Sequence, residues 1–500
     1  MIAEKCQDKF AVNELLEWTA TEAISHLRDG SITVECYASQ LLKQYRECRR
    51  LNTVTWIDEN RVLERARSVD MARRGGQAIG PLAGLPVVIK DNINTVGFPA
   101  SAGTAILKGA YPPSNAPSAD ALLKNGAILL AKTNMDELGQ GVTSSNPTFG
   151  FVKNPYDETR VPGGGAGGTA AAISARITPA GLASDTAGSA RLPGSFCGVA
   201  GLRPSTAGVL RKGWTMASWM VTTWDEGVFP IAYAITTPAP MGRTVSDVAL
   251  LNAIVTGTTV PAAITLRGIR IGVPNYHWED VDPEVLRVSR LGLEKLRAAG
   301  VTLIDVDLRQ WAQIADQTFF TLGFMHSVKD GVDFLATNAP GVNMFDVIAS
   351  LGTRAIKARI QFGIDNPISM EQAAQARQTR LKLSLQYEDL LRTKNLSAIV
   401  YPTVPVLPPK IRAEGDGPND TVDLNGKQVS EFSTLLRNTR LSGVVGTPSL
   451  TLPAGFSSSG LPVGLSFDSA AGSDTGLLGL GLSLEAVLGR IRGPISHARA

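Results

Sequence analysis

Ser189 lies in Ser184-Asp-Thr-Ala-Gly-Ser-Ala-Arg191, a stretch with so little side-chain bulk that a substrate carbonyl can reach its hydroxyl. Consecutive backbone N–H groups in such a turn can converge on a developing oxyanion and form a preorganised electrostatic site. Asp185 and Arg191 are spaced to lock the turn through a charge-assisted contact. Read alone, the segment is more simply a Gly/Ser turn. Lys90 alters that balance. It ends the apolar run Leu85-Pro-Val-Val-Ile89, where a lysine is costly unless paired or in use. Burial favours the neutral amine, which can accept a proton from a serine; a fall from ~10.4 to about 7–8 corresponds to roughly 4 kcal/mol, within what buried sites reach. The competing expectation for Lys90 is an ion pair with Asp91 or a distant carboxylate.

Other chemistries find little support. His26, His277, His326 and His497 are far apart and in unrelated contexts, and neither an H-E-x-x-H helix nor a G-x-S-x-G elbow occurs. Gly163-Gly-Gly-Ala-Gly-Gly168 matches the dinucleotide fingerprint in spacing only. That motif needs a strand directly before it, and here the polar, Pro-bounded segment Asn154–Pro162 precedes it.

The elements that must position these residues alternate. Apolar spacing of three to four predicts helices over Thr21–Arg28, Val34–Arg46 and Glu59–Arg74. A strand at 85–89, a helix over Ala119–Asn125 and a strand at Ala127–Ala131 follow. Later strands are expected at 269–273, 301–306, 397–401 and 449–452, with helices over 283–299 and 475–491. The pattern predicts an α/β chain with a mostly parallel sheet. With no long linker or repeat, one domain over residues 1–500 is expected: a helical segment at about 11–75, a core at about 80–250, and a peripheral helical segment at about 310–395.

Composition narrows the class. The chain has 500 residues, 44% hydrophobic and 19% charged, with 48 basic and 45 acidic side chains and a net charge of +3. No basic block suggests nucleic-acid binding. Cys6, Cys36, Cys48 and Cys197 are too few and too scattered for a disulfide framework or a zinc knuckle. The apolar stretch Gly227–Gly242 is too short and too proline-broken to span a membrane, which needs ~20 residues. A cytoplasmic, reduced, soluble protein is expected, with no metal or cofactor.

Together the motifs resemble those of the amidase signature family, over most of the chain. Gly84-Leu-Pro-Val-Val-Ile-Lys-Asp-Asn-Ile93 is similar to the family's lysine segment, and Lys132–Glu137, Thr148–Gly150 and Asn154-Pro155 to its approach to the serine loop. Pro162–Thr169 and Asp185–Thr206 resemble the signature itself, and Pro240–Asp247 and Gly460–Leu465 two later segments. The resemblance implies a single α/β/α domain around a large mixed sheet. It implies Ser189 as nucleophile, Lys90 as base, and the amides of Thr186, Ala187, Gly188 and Ser189 as the oxyanion hole.

Two departures stand out. The family's bridging cis-serine falls at Gly165, its neighbour is Ala166, and both hydroxyls are missing. Ala187 stands where the family has glycine. Three readings stay open: Lys90 acts directly or through a trapped water; Thr169, Ser144 or Ser145 supplies the hydroxyl; or the chain, naturally or by design, no longer catalyses and only binds. Trp214, Trp219 and Trp224, with Phe229 and Tyr233 close behind, suggest an aromatic pocket for an aryl or apolar amide, anilide or carbamate, or else a hydrophobic flap over the core. The alternatives are a dedicated carbamate (urethane) hydrolase, the amidase subunit of an amidotransferase, and a non-catalytic binding protein. A small-molecule substrate and a monomer or homodimer are expected, without nucleic acid or membrane.

Overall fold

Helices open the chain where the apolar spacing predicts them, over Ala20–Asp29, Val34–Glu47 and Glu59–Arg74. Each has a side-chain N-cap, from Thr19, Thr33 and Asp58 respectively, and Thr19 with Glu22 completes a capping box. The computed structural model describes residues 10–206, 226–323, 327–491, 493 and 494.

The strands, in chain order, are β1 (Val54–Trp56), β2 (Pro86–Lys90), β3 (Ile128–Thr133), β4 (Ala180–Asp185), β5 (Ala200–Arg203), β6 (Thr237–Gly242), β7 (Arg270–Pro274), β8 (Thr302–Val306), β9 (Ala398–Pro402), β10 (Thr421–Leu424), β11 (Lys427–Ser430), β12 (Ser449–Phe456) and β13 (Pro462–Asp468). Eleven of them form one sheet in the order β1-β3-β2-β4-β6-β5-β12-β13-β9-β7-β8, and β10 and β11 form a separate hairpin. The α/β architecture is therefore a mixed sheet. Its parallel pairings lie in two runs, β3-β2-β4 and β9-β7-β8, while β4 to β9 pair antiparallel through the centre. Short connections such as that between β12 and β13 enforce the antiparallel part, because a parallel pair needs a long crossover.

Strand β6 escapes a sequence reading because it carries Pro238 and Pro240. It pairs with β4 over six positions but with β5 only at Met241 and Gly242. Backbone donors alternate between the two sides of a strand, so both proline nitrogens fall on one side. That side is the stretch which β5 leaves unpaired, and no ladder bond is lost.

The helices around the sheet build two large apolar clusters. One sets Leu27, Val34 and Leu41 against Val87, Ile89 and Leu130. The other sets Leu296 and Leu484 against Ile271, Val400, Leu450 and Leu465. The described residues between 309 and 393 carry the helices Arg309–Gly323, Ser327–Asn338, Met344–Ala349, Arg354–Asp365 and Met370–Thr393.

Cys36 corrects the expectation of a fully reduced chain. It is disulfide-bonded, while Cys48 and Cys197 are free. Spacing rules judge a framework of bridges and are blind to one isolated cystine. Among the described residues no helix is long and apolar enough to cross a membrane.

Candidate active site

Strand β2 delivers Lys90 at its C-terminal end, where the side chain is completely buried. Burial pushes its amine down to about 8, against the opposing charges of Asp136 and Asp185. The alternative pairing with Asp91 is not made. Asp91 instead faces Lys132, 3.8 Å away on the neighbouring strand, and accepts a hydrogen bond from Ser101 Oγ. Burial lifts Asp91 to about 6 even so, with the Lys132 charge acting against the rise. Lys90 Nζ donates to Ser184 Oγ at 3.0 Å, and among the described residues it has no carboxylate within salt-bridge distance.

Ser189 sits between β4 and the helix Arg191–Cys197 at 6% exposure. Asp185 holds this loop from below, accepting from the amides of Gly188 (2.8 Å) and Ala190 (3.1 Å) and from Arg191 Nε and Nη2 (3.0 Å each). Burial alone would raise Asp185, but the Arg191 charge and its hydrogen bonds overcome that and hold it at about 2. The Gly188 amide is therefore already committed to Asp185, which removes it from the expected set of oxyanion donors. Among the described residues, the amides of Thr186, Ala187 and Ser189 have no acceptor. Gly188 has φ +141, and a Cβ there would run into Thr439 Oγ1. Ala187 has no positive φ and packs with Ile235 and Leu441, so the alanine is unstrained.

Gly165 lies beside the lysine. A Cβ built on it would stand 3.2 Å from Lys90 Nζ and 3.1 Å from Gly139 O, and its φ is outside the left-handed region. The Gly164–Gly165 peptide bond is cis. Ala166 N donates to Ser189 O at 3.0 Å, tying the glycine loop to the serine loop. None of the proposed substitute hydroxyls bonds to the amine. Thr169 Oγ1 is paired with Thr133 Oγ1 (2.7 Å), Ser144 Oγ donates to Gly163 O (3.0 Å), and Ser145 Oγ accepts from Thr143 (3.0 Å).

The aromatic residues divide. Trp214, Trp219 and Trp224 lie outside the described residues. Phe229 is buried against Phe334, with ring centroids 5.0 Å apart, and Tyr233 is half-buried. Gly163–Gly168 leads into the helix Gly167–Ser174 without a preceding strand, which removes the nucleotide fingerprint. His26 stacks on Trp18, and His277 is pushed by burial to about 3 beside Tyr401.

A family model described as Amidase matches residues 39–478. The chain belongs to the amidase signature family. Among relatives of this amidase-family enzyme, the mandelamide hydrolase of Pseudomonas putida is 31% identical over 494 residues, covering 95% of this chain and 92% of that protein. The indoleacetamide hydrolase of Agrobacterium vitis is 32% identical, covering 89% and 91%. A crystal structure of an amidase superposes with a TM-score of 0.80 at 28% identity, covering 94% of this chain and all of the other.

Sequence reasoning about this amidase-family site missed six polar residues. Ser184 meets the lysine and Asn92 meets Ser184, and their neighbourhood depends on strand order. Asp136 packs against Gly164, where a Cβ would strike its Oδ2, and burial together with the Asp416 charge pushes it up to about 7. Asp416, Asp420 and Glu431 bring carboxylate oxygens within 4.8 Å of one another, with Arg412 bridging Asp420 (3.6 Å) and Glu431 (2.8 Å). These carboxylates are spread over loop and helix, with no ligand-like spacing to mark them in the sequence.

Proposed function

We propose that the enzyme hydrolyses small aryl or otherwise apolar amides through an acyl-enzyme on Ser189. The observation that carries this reading is a buried lysine, held at about 8 and without an acid partner among the described residues, beside a serine loop whose amides of Thr186, Ala187 and Ser189 find no acceptor among those residues. Ser189 Oγ forms a bond to the substrate carbonyl carbon and its proton passes to neutral Lys90. The negative charge that develops on the carbonyl oxygen is met by the amides of Thr186, Ala187 and Ser189. The C–N bond then breaks, and Lys90 returns the proton to the departing nitrogen. Water attacks the ester with Lys90 again as base, releasing the acid and restoring Ser189. No step uses a metal or an organic cofactor.

Mandelamide and indoleacetamide, which the relatives' names carry, each place an aromatic group one carbon from an amide carbonyl, and this supports the aryl substrate class. A carbamate adds one oxygen beside the same carbonyl, so the catalytic groups alone do not separate the two. The absent hydroxyl at Gly165 favours a second reading, a chain that binds amides and turns them over slowly or not at all.

Incubation with a fluorophosphonate, peptide mapping of the adduct, and a turnover panel of arylacetamides, anilides and aryl carbamates test both. An adduct on Ser189, with turnover lost in Ser189→Ala, supports the first reading. An adduct on another serine overturns it. An adduct on Ser189 without turnover of any panel member favours the second.

A further inference from the structure

Successive side chains of β4 point to opposite faces, and its last two residues serve different masters. Asp185 takes the nucleophile loop and Arg191, whereas Ser184 faces the lysine. Ser184 is nearly fully buried, and its Oγ accepts from Lys90 Nζ (3.0 Å) and from Asn92 Nδ2 (3.1 Å). Asn92 is itself fixed. Its Nδ2 also reaches Phe229 O (3.2 Å), and its carbonyl accepts from Phe229 N (2.7 Å).

A neutral amine has two N–H bonds and one lone pair. To take a proton from Ser189 the lone pair must face that hydroxyl, so the N–H bonds must be held elsewhere. Ser184 Oγ holds one of them, and among the described residues it is the one hydrogen-bond partner of Lys90 Nζ. A hydroxyl could also touch the amine from position 165, where a side chain would begin 3.2 Å from Nζ. Glycine offers nothing there.

We propose that Ser184, braced by Asn92, is the positioning residue that aims Lys90, and that it carries this task alone because Gly165 supplies no second hydroxyl. The inference rests on the reading of Lys90 as base. It makes positions 165 and 184 interdependent: removing the Ser184 hydroxyl costs much beside glycine and little beside a serine.

The test is a double-mutant cycle of Ser184→Ala and Gly165→Ser in the full chain, with Ser184→Thr and Lys90→Met as companions. The readout is the second-order rate of Ser189 labelling by a fluorophosphonate from pH 6 to 10, which does not require turnover. With glycine at 165, Ser184→Ala slows labelling ~10–100-fold, the loss expected when a reacting group is misplaced by about an ångström. Its alkaline limb also moves to lower pH, because the lost oxygen stabilised the ammonium more than the amine. Ser184→Thr, which keeps the hydroxyl, restores the rate to within about threefold. In the Gly165→Ser background, Ser184→Ala costs about threefold or less.

Equal losses in the two backgrounds overturn the proposal. So does a Ser184→Ala protein that labels at the parental rate while Lys90→Met does not label. Parental labelling by Lys90→Met would sink the base reading itself, a different failure.

Discussion

Replacing Lys90 by methionine should destroy activity and make the protein more stable. The amine is lowered from 10.5 to about 8 by burial, a shift of ~2–3 units, which at 1.36 kcal/mol per unit is about 3 kcal/mol. Methionine fills a similar volume without a charge. Against this gain stands one lost hydrogen bond to Ser184, worth about 1 kcal/mol, and Ser184 keeps Asn92 as a donor. The net gain is ~2 kcal/mol. Unfolding entropy of ~2.1 cal/mol/K per residue converts that into a midpoint rise of about 2 °C for a chain of 500 residues. The pH dependence has a definite sign. Below about 8 the lysine is charged in both folded and unfolded chains, so the folded protein bears the full cost. Above 10.5 it is neutral in both and the cost is gone. The methionine variant should therefore lead at pH 7 and lose its lead as the pH rises through that window. Calorimetric melting of both proteins at pH 7 and pH 10.5, beside an activity assay, measures this. A variant less stable at pH 7, or a lead indifferent to pH, refutes the reasoning.

The parental rate should climb about tenfold per pH unit below about 8 and level off above it, as the amine loses its proton; a flat profile from pH 6 to 10 would exclude lysine as the base. Gly165→Ser should be faster than Gly165→Ala by up to about tenfold, since both add a Cβ in the same tight place and only the serine adds a hydroxyl beside Lys90; equal rates would mean no relay is missing. Asp185→Asn strips the charge from a buried pair that also holds two loop amides, and should cost about 3–5 kcal/mol in urea unfolding together with most of the activity. Prolonged chelation should leave the rate unchanged, and a loss restored by zinc would overturn the serine–lysine chemistry.

Much of the site was legible because it rests on local pattern. An unbroken apolar run ending in lysine reads as β2 and its buried amine, and a bulk-free segment flanked by Asp185 and Arg191 reads as a clamped turn. What stayed hidden depends on which strands lie side by side. Lys132 is opposite Ile89 in the β2–β3 ladder, and this brings it within reach of Asp91 and leaves Lys90 unpaired. Ser184 meets Lys90 across 94 residues of chain. Thr169, Ser144 and Ser145 were reasonable in sequence, but their hydroxyls are engaged with Thr133 on β3, with Gly163 O and with Thr143 respectively. Strand β6 was invisible for the opposite reason, since its prolines argue locally against a strand that the sheet accommodates.

Those prolines bear on catalysis through the phase of β4. The six-position ladder from Ala180↔Gly242 to Asp185↔Thr237 sets which β4 side chains face the lysine. A slip of one residue would exchange the faces of Ser184 and Asp185 and bring a carboxylate to Lys90 in place of a hydroxyl. The amine would then be held as an ammonium salt, folded and inert. The prolines fix which edge of β6 meets β4, because turning β6 over would set two missing donors against that ladder. The feature that makes β6 an improbable strand thus fixes one side of the ladder against which β4 is registered, and with it the hydroxyl that meets an amine two strands away.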